Sequence, residues 1–148
     1  MQMGEGYYGR HGTLGIATPQ ANVTAETEFR ALLPRGVACA TVRMASDEPL
    51  PEDRLRAYFS EIDQTLDRFD TLAMGAVGLA CTGSSYLLGH AAVEASLAKL
   101  GARRQQPVIS AATAIERALN HIGAHSVALI CPYPEWLLEA AERHWQER

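Results

Sequence analysis

Five short apolar runs, each followed by apolar residues recurring at helical spacing, set the pattern of this chain. Thr13–Thr18 reads as a first strand ended by Pro19, and Ala25–Leu33 as the helix after it, with Thr24 as its cap. Val37–Met44 follows as a second strand, in which Val37, Cys39, Thr41 and Arg43 share one face and Ala38, Ala40, Val42 and Met44 the other. Leu55, Tyr58, Phe59, Ile62, Leu66 and Phe69 then fall on one stripe, so the spacing predicts an amphipathic helix over Glu52–Phe69 that faces a core. A third strand spans Ala76–Cys81, and the helix after it runs from about Ser84 to a stop at Gly101. Val108–Ser110 with a helix over Thr113–Ile122, and Ser126–Cys131 with a helix beyond Pro132-Tyr133-Pro134, complete the series. Strand–helix alternation of this kind predicts an α/β fold: parallel sheets joined by right-handed crossovers, with helices on both faces.

Boundaries follow from the same pattern. Residues 1–12 are polar and glycine-rich and read as a flexible leader. The polar stretch Gly101–Pro107 is the best linker candidate, dividing a first α/β domain, 13–101, from the opening half of a second, 107–148. Ser46–Pro51 is a polar loop long enough to move.

Composition narrows the function classes. A 148-residue chain with 47% hydrophobic and 20% charged residues can bury a core, and a net charge of −4 with no basic cluster argues against nucleic acid. With neither a secretory signal nor an eighteen-residue apolar window, a cytoplasmic protein with no membrane segment is expected. The three cysteines, Cys39, Cys81 and Cys131, form no CxxC pair, so neither a disulfide framework nor a zinc site is expected. Each is then packing or a reactive thiol.

Several patterns are decoys. Gly4–Gly9 spells G-x-G-x-x-G but precedes the first strand, where a dinucleotide fingerprint must follow one. Asn22-Val23-Thr24 matches a glycosylation acceptor without a secretory context, and Asn22 reads either as a turn residue or as a substrate contact. His121 and His125 are four apart, but Gly123 between them ends the helix, and no metal site is expected. His90, alone on an apolar helix, reads as packing. Gly83-Ser84-Ser85-Tyr86-Leu87 lacks the last glycine of a G-x-S-x-G elbow.

The stretch with chemistry is Val77–Gly89. A strand ends at Cys81 and small hydroxylated residues lead into a helix, so the thiol sits where unpaired N–H groups and the positive dipole end of the helix favour a thiolate. From these residues alone Cys81 is equally a nucleophile or a small buried hydrophobe.

Four loops together carry a family resemblance. Pro19-Gln20-Ala21-Asn22-Val23-Thr24-Ala25-Glu26-Thr27-Glu28, Thr41-Val42-Arg43-Met44, Ala80-Cys81-Thr82-Gly83-Ser84 and Pro132-Tyr133 follow or end the first, second, third and fifth strands. In this order and spacing the chain from Thr13 onward resembles the aspartate/glutamate racemase superfamily, most nearly its maleate cis-trans isomerases and then its arylmalonate decarboxylases. The resemblance implies a flavodoxin-like fold and a cofactor-independent enzyme that holds a small carboxylate or dicarboxylate between two similar α/β domains. It implies Cys81 as catalytic nucleophile or base, and Asn22, Thr82, Gly83 and Tyr133 as substrate-binding residues. The family's second cysteine falls in a later stretch that has no counterpart up to Arg148, and Cys131 does not match it. Three functions are expected: an isomerase of a small unsaturated diacid, a decarboxylase or amino-acid racemase on the same scaffold, or an inactive shortened chain. Open sheet edges on an incomplete second domain also lead to an expectation of homodimers or other self-association.

Overall fold

A computed structural model describes residues 9–148, and all but the last glycine of the Gly4–Gly9 pattern lies outside them. Four parallel strands form one sheet: β1 (Thr13–Pro19), β2 (Ala38–Met44), β3 (Ala76–Leu79) and β4 (Val108–Ser110), in the order β2-β1-β3-β4. Among the described residues seven helices accompany them: α1 (Thr24–Leu32), α2 (Pro51–Ser60), α3 (Ile62–Asp67), α4 (Thr82–Leu88), α5 (His90–Arg104), α6 (Ala111–His121) and α7 (Glu135–Gln146). This is the α/β architecture that the alternating pattern predicts.

Register fixes the sheet tightly around β1. Gly15 pairs with Ala40 on one side and Val77 on the other, and Ala17 with Val42 and Leu79. One face buries Ala17, Val42, Met44, Val77 and Leu79 against Tyr58, Ile62, Leu66 and Phe69 of the α2–α3 region and Val93, Leu97 and Leu100 of α5. The aromatic-aliphatic stripe is therefore core, as its spacing requires. Gly15 has no side chain because none fits: a Cβ there would lie 2.3 Å from the Met74 sulfur and 3.2 Å from Phe69 and Val77.

The structure corrects the sequence reading at five places. The Glu52–Phe69 helix is two helices, broken at Glu61, whose φ and ψ of −100° and 11° leave the helical region. The helix after β3 is also two, because Gly89 takes φ +79° and ψ 149°. Its second part does not stop at Gly101 but runs to Arg104, where Gln105 adopts the left-handed cap conformation. There Arg104 donates to the Asp63 and Asp67 carboxylates, each at 2.6 Å, and ties α5 to α3. Thr24 does not cap α1; it is the first helical residue, and the Asn22 side chain accepts the free N–H groups instead. Finally, Ser126–Cys131 is not a strand. An apolar run forms one only where a neighbouring backbone takes up its N–H and C=O groups, and the sheet supplies no partner here. The segment is largely uncovered, with Ile130 96% exposed.

Across the linker candidate the sheet is continuous. Val77, Gly78 and Leu79 of β3 pair with Val108, Ile109 and Ser110 of β4.

Candidate active site

The strand order determines where loops can converge. From β1 the chain moves outward to β2, then returns to the other side of β1 for β3, so the loops leaving β1 and β3 diverge at a topological switch point. Open α/β sheets bind ligands at the carboxyl ends of the strands at such a point. Ala17 and Leu79 are the last paired residues there, and the Ala80 N–H donates to the Ala17 carbonyl at 2.8 Å. The loop carrying Asn22 and the turn carrying Cys81 therefore leave the sheet side by side.

Cys81 is the N-cap residue of α4, in extended conformation and half-buried. Its Sγ lies 3.4 Å from the Ser84 hydroxyl, which in turn donates to the Leu55 carbonyl at 2.7 Å. Serine has one hydroxyl proton, and it is committed to Leu55. In this arrangement the Cys81 thiol must be the donor toward Ser84. The turn is pressed between helices: Gly83 is buried, and a Cβ on it would lie 3.1 Å from Leu55 and 3.7 Å from Leu137. Gly83 can thus offer a ligand only its backbone.

Thr82 and Tyr133 are brought together across 51 residues of sequence, their hydroxyls 3.2 Å apart. Tyr133 also stands edge-on to Tyr86 at 6.5 Å, and the Tyr86 phenol accepts a hydrogen bond from the Trp145 indole at 3.2 Å. Burial is the main cause that raises the Tyr86 phenol above its ordinary pKa. These contacts bind the otherwise unpaired stretch before α7 to the first turn of α4.

Asn22 lies on the neighbouring loop, without a hydrogen bond to Cys81, Thr82 or Tyr133. Its Oδ1 accepts from the Thr24 and Ala25 N–H groups at 2.9 and 3.0 Å. The backbone N–H groups can point only at an oxygen, so the orientation of the carboxamide is set, and its Nδ2 donors have no partner among the described residues. A carboxylate is the complementary ligand.

Two side chains at this site escaped the sequence reading. Tyr58 is 4% exposed, and burial raises its phenol above the ordinary value; Arg54 opposes the shift, Cys81 adds to it and the Gln20 backbone opposes it. It belongs to the core cluster against which Cys81 packs. A hydroxyl on an otherwise apolar stripe was the available signal, since a buried phenol needs a polar neighbour. Ser84 is the other, and its role depends on Leu55, which no local pattern connects to it.

The set of groups is a thiol, an amide donor, two hydroxyls and the N–H groups of a helix start. Among the described residues no group of three or more His, Cys, Asp or Glu side chains is placed to hold a metal ion. Among the described residues no helix is long and apolar enough to cross a membrane.

No family model matches the chain. A maleate isomerase of Geobacillus stearothermophilus is 30% identical over 139 residues, covering 84% of this chain and 54% of that protein. The chain is similar to maleate isomerases. Its fold matches that of the maleate isomerase Iso from Pseudomonas putida S16 with a TM-score of 0.79 at 21% identity, covering 91% of this chain and 59% of the other. A Nocardia farcinica maleate cis-trans isomerase mutant, solved with a covalently bound succinylcysteine intermediate, matches with a TM-score of 0.72 at 26% identity over 90% of this chain and 58% of that one. Arylmalonate decarboxylase shares the fold, with a TM-score of 0.72 at 21% identity for a liganded mutant, over 92% of this chain and 57% of that one. The chain spans a little over half the length of each.

Proposed function

We propose that this chain carries one wall of the active site of a cofactor-independent isomerase acting on a small unsaturated dicarboxylate such as maleate. Cys81 is its nucleophile, and Asn22, Thr82, Gly83 and Tyr133 bind the substrate. The single observation that supports the reading is Cys81 at the N-cap of α4 after β3, next to β1, the strand whose following loop carries Asn22. The succinylcysteine intermediate of the Nocardia relative supports a covalent route.

The steps follow from the groups present. The Cys81 thiol first gives up its proton to water, and the thiolate adds to one alkene carbon; a C–S bond forms, and the π electrons move onto the adjacent carboxylate as an enediolate. The former double bond is now single and rotates. The electrons return, the C–S bond breaks, and the trans diacid leaves. The added charge resides on carboxylate oxygens, where the Asn22 amide, the Thr82 and Tyr133 hydroxyls and the Gly83 N–H act as preorganised donors.

A second reading, a decarboxylase or racemase in which Cys81 transfers a proton at the carbon next to a carboxylate, is favoured by the shared fold of arylmalonate decarboxylase. Pairing of two copies, an expectation that the uncovered Ser126–Cys131 segment strengthens, is tested by size-exclusion chromatography with light scattering.

Incubation with maleate followed by peptide mass spectrometry tests the assignment. A succinyl adduct is expected on Cys81 well ahead of Cys39 and Cys131, and none at that position in Cys81→Ser. Equal labelling of the three cysteines overturns it. Loss of CO2 from an arylmalonate, with no adduct from maleate, selects the second reading.

A further inference from the structure

The loop after β1 is held by a residue outside the proposed wall. Arg43, near the end of β2 and level with Thr18 of β1, directs its guanidinium back over that loop. It donates to the main-chain carbonyl of Asn22, reaches the Pro19 carbonyl at 3.4 Å, and pairs with the Glu26 carboxylate on α1. A second tie comes from the same side, where the Ser46 N–H donates to Gln20 Oε1 at 2.7 Å. The Asn22 N–H donates to the Pro19 carbonyl at 2.9 Å, and Asn22 Oδ1 is taken by Thr24 and Ala25. Every polar group of Asn22 except its Nδ2 is thus committed.

We propose that Arg43 is a positioning residue that clamps the Pro19–Ala25 loop in the one form that turns the Asn22 amide donors toward a substrate carboxylate. The inference rests on the carboxylate-binding reading of Asn22. A planar, forked cation suits the task, because two carbonyls and a carboxylate must be met at once; lysine supplies a point charge and cannot hold all three in fixed directions. The clamp also isolates the loop from the substrate's own charge. Glu26 neutralises Arg43, so the guanidinium orders the loop without competing with Asn22 for the ligand.

The test uses the full chain, labelled with ¹⁵N, as wild type and as Arg43→Gln, Arg43→Lys and Glu26→Gln. Amide hydrogen exchange at Asn22, Thr24 and Ala25 is compared with that at Ile16 and Ala17 in β1, and the Asn22 side-chain amide is followed while succinate is added as an unreactive diacid. In Arg43→Gln, protection of the three loop amides is expected to fall about five- to tenfold, as loss of a partly exposed charge-assisted hydrogen bond implies, with β1 unchanged. Succinate affinity falls by a similar factor, Arg43→Lys restores part of both, and Glu26→Gln loses less than Arg43→Gln. Unchanged loop protection in Arg43→Gln overturns the clamp. A looser loop with no succinate response in the wild type retains the clamp and overturns its link to a carboxylate. If Arg43→Gln does not fold, Glu26→Gln gives the same readout, and full protection there counts against the proposal.

Discussion

Gly89→Ala is the substitution whose cost is most directly set by backbone geometry. Gly89 joins α4 to α5 at φ +79° and ψ 149°, a region that side-chain-bearing residues essentially do not occupy. Nothing lies within 4 Å of a Cβ built there, so crowding contributes nothing and conformational strain alone decides the outcome. Such strain costs about 1–3 kcal/mol. Alanine's helix advantage does not offset it, because Gly89 lies outside both helices. For a chain of this size the melting temperature should fall by about 2–4 °C per kcal/mol. Gly78→Ala is the control: it lies in β3 without a positive φ, and its Cβ meets only Ile16 Cδ1 at 3.4 Å, so its stability should stay within about 0.5 kcal/mol of wild type. The assay is urea unfolding by circular dichroism, with the rate of Cys81 alkylation measured alongside. The break at Gly89 sets the direction of α4, and Cys81 caps α4, so the alkylation rate should change in Gly89→Ala and not in Gly78→Ala. Equal stability of the two variants, or a gain of helix signal without loss of stability, refutes the strained hinge.

Two further outcomes are expected. His144 is 5% exposed with both ring nitrogens unpartnered, and burial, followed by Arg148 and His90, lowers its pKa against the opposing pull of Glu116 and Glu147. The unfolded chain therefore takes up this proton at higher pH than the folded chain, so stability is lost as pH falls below about 6.5, and His144→Phe should flatten the unfolding midpoint between pH 7 and 5; parallel curves for the two proteins refute this. Ser84→Ala removes the acceptor toward which the Cys81 thiol points, and alkylation of Cys81 at pH 7 should quicken by about two- to fivefold, the worth of one weak hydrogen bond; slower alkylation would mean that Ser84 donates to a thiolate instead.

The first three strands and the Cys81 turn were legible because each rests on local chemistry. A strand buried in a parallel sheet is a short apolar run, and its end is marked by Pro19 or by the Cys81-Thr82-Gly83 sequence. The two helix breaks were less accessible: Glu61 is an ordinary helix former, and the conformation of Gly89 depends on where α5 must lie to bury Val93, Leu97 and Leu100. Ser126–Cys131 failed for a different reason. Apolar content states what a segment can do, but strand formation also needs a partner backbone, which no pattern within the segment encodes. The Asn22 result shows the opposite case, since the cap of α1 was assigned to Thr24 when its neighbour two residues earlier performs it. A capping Oδ1 also fixes which way the amide donors face.

Each candidate group is held by an element other than its own, and the strengths of these supports differ. Asn22 is fixed through β2 by Arg43, and Cys81 through α2 by the Ser84–Leu55 bond. One support comes from a strand of the sheet and the other from a helix packed on it, so both are in place at folding, before charge would develop on a carboxylate in the proposed reaction. Tyr133 differs. Its hydroxyl meets Thr82, but its backbone belongs to the stretch between α6 and α7, which makes no ladder pairing and exposes Ile130. Local stability follows buried contacts and protected hydrogen bonds, so this stretch should open before either of the other two. Of the proposed wall, the Thr82–Tyr133 contact is then the part that opens first, and Asn22 and Cys81 are the part held by the sheet and α2.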